Sequence, residues 1–155
     1  MEPGASFVFS RESRIRIDRE GRFWHEGERV AHPRLEQALA SWVDLDGETG
    51  RYILRNALDW CFVTVEDAPL AVRAVRVTPS GFEVERSDGG SEPLALDTVR
   101  VTDDGRVYAR VREKRLPARF DRGAAFALLE HAEEQGGAVF LRVGGGLFPI
   151  ARGEP

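Results

Sequence analysis

The chain has 155 residues, 42% hydrophobic and 31% charged, with 22 basic against 26 acidic side chains for a formal net charge of -4. That suits a globular chain with one core, or two small lobes sharing one, and needs no disulfide or metal staples. The single cysteine, Cys61, excludes an internal disulfide framework and a Cys-rich zinc site. Apolar stretches such as Trp60 to Val65 fall well short of the ~20 residues of a membrane-spanning helix, and Met1 to Arg11 lacks the basic start and long apolar run of a signal peptide. The expectation is therefore a cytoplasmic protein.

In chain order, residues 1–13 read as a tail. Arg14 to Val30 reads as a hairpin, because Ile15 and Ile17 alternate with charged neighbours and Asp18-Arg19-Glu20-Gly21 supplies turn chemistry before Phe23 and Trp24. Pro33 suits the first turn of a helix. Leu35, Ala38, Leu39, Trp42 and Val43 then form one apolar stripe at helical spacing, and Asp44 to Gly50 reads as loop. Strands are predicted at Tyr52 to Leu54 and Trp60 to Val65, closing a hairpin-helix-strand lobe over 14–66.

A β-rich lobe over 67–155 follows. Strands are predicted at Leu70 to Val77, Phe82 to Arg86, Leu94 to Val101 and Arg106 to Arg112, separated by Pro79-Ser80-Gly81, Asp88-Gly89-Gly90 and Asp103-Asp104-Gly105. A second helix is expected near 121–135, with Asp121 capping it and Gly136-Gly137 stopping it. Ala138 to Val143 and Leu147 to Ala151 make a closing hairpin, and no internal repeat is evident in the residues. One early and one late helix that do not alternate with the strands predict an α+β, mostly β fold.

Five stretches carry a family likeness, two of them the short Tyr52-Ile53-Leu54 and Tyr108-Ala109-Arg110-Val111. Ile17-Asp18-Arg19-Glu20-Gly21-Arg22-Phe23-Trp24-His25-Glu26-Gly27, Val65-Glu66-Asp67-Ala68-Pro69, and Leu116-Pro117-Ala118-Arg119-Phe120-Asp121-Arg122 together resemble the bacterial domain-of-unknown-function family 1285 over roughly Arg14 to Ala132. The resemblance implies two small lobes, an N-terminal α/β roll and a C-terminal β roll with a late helix. It implies no activity, since none is assigned to the family. The chain departs from the family pattern at Arg55 to Cys61.

The residues offer few chemical signatures. His25, His32 and Cys61 are ligand-type side chains that would be needed for a metal-dependent hydrolase, yet their spacing matches no metal motif. Asp44-Leu45-Asp46-Gly47-Glu48 has its glycine too early for a calcium loop, and Gly144-Gly145-Gly146 lacks the lysine of a phosphate loop. No cofactor, metal or catalytic group is assigned.

The basic residues hold one anomaly: 21 of the 22 are arginine, with Lys114 the exception. Most are interleaved with Asp and Glu, as codon preference in a GC-rich genome would produce. Arg106 to Arg122 is different, with seven basic residues against Glu113 and Asp121, a local +5. In a strand, Arg106, Tyr108, Arg110 and Arg112 share one face, and with Arg119 and Arg122 they are the candidate ligand-binding residues. The leading reading is a non-catalytic module that binds a small ligand or a protein. An anion, nucleotide or RNA surface on the Arg106 to Arg122 face, with Tyr108 stacking a base, is the second reading, and the net acidity of the chain weighs against it. Asp67 and Arg119, were they to meet, would form a structural clamp.

Overall fold

A computed structural model describes residues 11–153, so most of the expected tail over 1–13 lies outside the described residues. The chain opens with β1 (Ile15–Ile17), β2 (Phe23–His25), β3 (Glu28–Arg29) and helix α1 (Pro33–Ser41), then β4 (Val43–Leu45), β5 (Tyr52–Arg55), β6 (Trp60–Phe62) and β7 (Thr64–Val65). It continues through β8 (Leu70–Thr78), β9 (Gly81–Arg86), β10 (Ser91–Pro93), a 3₁₀ turn at Leu96–Thr98, β11 (Arg100–Val101), β12 (Val107–Val111) and β13 (Leu116–Phe120). Helix α2 (Arg122–Leu129) and the strands β14 (Ala132–Gln135), β15 (Ala138–Val143) and β16 (Gly146–Arg152) complete it. The fold is α+β and mostly β.

Three sheets share the work. A small sheet runs β3-β2-β1-β7, a second runs β4-β5-β6, and a long one runs β10-β9-β8-β13-β12-β11-β16-β15-β14. Parallel pairings of β1 with β7, β8 with β13 and β11 with β16 tie distant parts of the chain together. Both helices feed an antiparallel three-stranded meander, α1 into β4-β5-β6 and α2 into β14-β15-β16. One apolar cluster joins Ile17, Phe23 and Val43 to Val72, Leu116, Leu128 and Leu141, so side chains from all three sheets and both helices pack in a single core.

Several elements differ from the sequence expectation for identifiable reasons. The helix expected over 121–135 ends at Leu129, and Ala132–Gln135 is a strand paired with β15. Gly136 and Gly137 have φ of +60° and +83°, the left-handed pair that a tight hairpin turn needs, so they join two strands and do not stop a helix. The stripe on α1 is shorter than drawn. Leu39 and Ala40 are its buried residues, Leu35 is 48% exposed, and Val43 belongs to β4, which also takes Asp44 and Leu45 from the predicted loop. The strand expected over Leu94 to Val101 breaks into the 3₁₀ turn and β11. Trp60 to Val65 divides at Val63, where the chain passes from one sheet to another.

The long strand β8 carries an irregularity that matters below. Val72 pairs with Arg86 and Ala74 with Glu85, leaving Arg73 as the extra residue of a bulge. Such a bulge re-aims the side chain it inserts.

Candidate functional site

A cleft of about 890 Å³ opens where the β1–β2 turn, the bulge of β8, the 103–106 turn and the start of α2 meet. Six arginines line it: Arg19, Arg22, Arg73, Arg106, Arg119 and Arg122. Against them stand Glu20, Asp104 and Asp121, so the lining is net positive in a chain of net charge -4.

The β1–β2 turn is built around Asp18. Its carboxylate accepts from the amides of Glu20 and Arg22, both at 2.9 Å, and from Trp24 Nε1 at 2.8 Å. Burial alone would raise the Asp18 pKa, yet these hydrogen bonds outweigh it and hold the carboxyl below its ordinary value. Gly21, at φ +78°, closes the turn where an added Cβ would stand 3.0 Å from Ala71 Cβ, so the turn sits directly on β8. Arg19 and Arg22 are thereby carried to the rim of the cleft.

Arg73 ties this turn to α2. Its Nη1 donates to the Glu20 carbonyl at 3.0 Å and to Asp121 Oδ1 at 2.8 Å. Asp121 stands at the N-cap of α2 as expected but makes no side-chain cap bond, because its carboxylate goes to Arg73 instead. On the opposite wall, Thr102 Oγ1 accepts from the Arg106 amide at 2.9 Å and donates to Asp104, and Asp104 takes Arg106 Nε at 3.0 Å.

Behind these arginines lies a polar knot. Tyr108 Oη donates to Asp67 Oδ2 at 2.6 Å and accepts from Arg106 Nη1 at 3.0 Å, while Arg119 Nη1 reaches the same Asp67 oxygen at 3.0 Å. Asp67 and Arg119 thus do meet. Burial, then the Asp67 carboxylate beside it, push the Tyr108 phenol above its ordinary value. The knot fixes Arg106 and Arg119 without their spending rotamer freedom on a ligand.

The sequence-derived candidates therefore separate. Arg106, Arg119 and Arg122 line the cleft; Tyr108, Arg110 and Arg112 do not. Tyr108 is 1% exposed, so its ring offers no face for a base to stack on. Arg110 Nη1 donates to the carbonyls of Lys114 and Arg115, and Arg112 Nη1 donates to the Val43 carbonyl at 2.7 Å. Those two hold backbone. Arg19, Arg22 and Arg73 were missed: Arg19 was read only as a turn residue, Arg22 only as part of the hairpin, and Arg73 only as part of a strand, with no local signal of the bulge.

The hydrolase reading loses its donor set. His32 is the N-cap of α1, its Nδ1 accepting from the Leu35 amide at 3.3 Å, while His25 is the exposed end of β2 and Cys61 lies on β6. Among the described residues no three His, Cys, Asp or Glu side chains come together to hold a metal ion, and no helix is long and apolar enough to cross a membrane.

No family model matches the chain, and no curated relative does. Among solved structures, a DUF1285 family protein from Silicibacter pomeroyi DSS-3 superposes with a TM-score of 0.72 at 23% identity, over 90% of this chain and 80% of that one. The chain has the DUF1285 fold. A second DUF1285 family protein, from Shewanella baltica OS155, gives 0.64 at 21% identity over 78% of this chain and 94% of its own. Neither DUF1285 protein carries an activity in its name.

Proposed function

We propose that the chain is a bacterial DUF1285 protein of the cytoplasm, acting as a non-catalytic binding module whose cleft holds a small anionic ligand. One observation carries this reading: six guanidinium groups from four separate segments line one concavity, and the side chains of Arg19 and Arg122 have no hydrogen-bond or ion-pair partner among the described residues. Guanidinium forks match phosphate and carboxylate oxygens, and the unpaired N-terminal amides of α2 add partial positive charge at the same place. Binding is favoured over catalysis by the state of the carboxylates. Glu20 pairs with Arg22, Asp104 with Arg106 and Asp121 with Arg73, so each candidate base in the cleft is already neutralised.

Isothermal titration with inorganic phosphate at low ionic strength tests this. Binding is expected, weakening as salt rises, and the pair Arg19→Gln and Arg122→Gln should lower affinity by about tenfold or more with unchanged melting temperature. Absence of binding at low salt, or full affinity in the double variant, overturns the reading.

A further inference from the structure

We infer that the ligand of this cleft is amphipathic, an acid whose anionic head meets the arginines and whose apolar body lies along α2. This rests on the anion-binding reading and adds the class of molecule. Arg122, Phe126 and Leu129 all line the cleft, and they fall at i, i+4 and i+7 on one face of α2. The stripe therefore begins at a cation and runs about 10 Å along the helix as apolar surface. Phe126 is 65% exposed, although the same helix buries Ala124, Ala125 and Leu128 in the core. An aromatic ring left out of the core beside a cationic mouth is what a ligand with a charged end and an apolar end would cover.

The charges fix which end goes where. Arg19, Arg22, Arg73, Arg106 and Arg119 line the cleft together with Arg122 at the α2 start, so an anion is held there, and Phe126 and Leu129 supply the apolar surface along which an attached chain sheds water. A medium-length alkyl or aryl acid, as a phosphate monoester or a carboxylate, has this shape.

Titration calorimetry below micellar concentration, with inorganic phosphate, octyl phosphate, octanoate and octanol, tests the inference. Octyl phosphate should bind about tenfold or more tightly than inorganic phosphate, with octanol not bound. A chain-dependent gain with octanoate over acetate supports the same class with a carboxylate head. Phe126→Ala, at an exposed position, should remove most of the gain from the chain and leave inorganic phosphate binding unchanged. Equal affinity for inorganic and octyl phosphate overturns this inference and leaves the anion reading standing, as does a chain gain that survives in Phe126→Ala. Failure of every anionic probe, phosphates and carboxylates alike, overturns both.

Discussion

Tyr108 shows how much a single side chain decides here. On alternation alone it belongs to the arginine face of its strand, but Asp67 and two arginines surround its hydroxyl, and its ring is buried with them. Tyr108→Phe should cost about 1–2 kcal/mol in urea unfolding, because Asp67 loses its shortest donor while staying largely out of water. The pH dependence has a definite sign. A phenol whose pKa is raised on folding adds stability that is fully present below the unfolded value of about 10 and is lost as pH rises through the folded value. Wild-type stability should therefore fall more steeply in this alkaline range than that of Tyr108→Phe, and parallel profiles would contradict the assignment. The burial of this ring was not legible in the sequence, since its partner Asp67 lies on a different segment.

At the level of elements, the β12–β13 turn accounts for much of the local +5. Arg112, Glu113 and Lys114 have φ of +54°, +60° and +63°, three successive left-handed residues and none of them glycine. Each such residue is strained by about 1–2 kcal/mol relative to the right-handed form. Contacts to other segments hold the turn: Glu92 accepts from the Arg112 amide at 2.9 Å, Lys114 pairs with Asp97 at 2.7 Å and Arg115 with Asp44 at 2.7 Å. Glu113 alone has no hydrogen bond or ion pair among the described residues. Glu113→Gly should accordingly raise stability by about 1 kcal/mol, seen as a higher melting temperature, and a lower one would show that its strain is already relieved. Strands with clean alternation and glycine-bounded turns, such as β1, β2 and β9, were legible in the sequence, as was the long apolar run of β8 though not its bulge. β13 was not, because Pro117 reads as a breaker. It is tolerated since pairing of β13 with β8 begins one residue later, at Ala118. β14 was hidden inside a helical pattern for lack of any local stop signal at Glu130-His131.

For the molecule as a whole, the arginine excess resolves into three uses. Some arginines pair on the surface, Arg110, Arg112 and Arg115 pin the β12–β13 turn to its neighbours, and six converge on the cleft. Half of the last group, Arg106, Arg119 and Arg122, was already visible in the local +5, whereas Arg19, Arg22 and Arg73 lie far from it in the chain and only folding adds their charge to it. The single apolar cluster makes a further expectation concrete. Trp24, Trp42 and Trp60 all lie in the first 66 residues, whereas most strand content lies beyond them. Urea unfolding followed by tryptophan emission and by far-ultraviolet circular dichroism should give coincident transitions, because Ile17, Phe23 and Val43 share their packing with Val72, Leu116 and Leu141. Separated midpoints would mean that the two halves hold together independently.

The bulge in β8 has a consequence for how such a protein could vary. Remove Arg73 and the ladder closes up, with Val72 opposite Arg86 and Ala74 opposite Glu85 as adjacent rungs of an ordinary antiparallel pair. The sheet is complete without it. What a one-residue deletion takes away is the hydrogen-bonded link from the Glu20 carbonyl to Asp121, and with it a charge in the middle of the cleft. A chain gaining or losing one codon at this point could switch the character of its cleft while keeping its architecture.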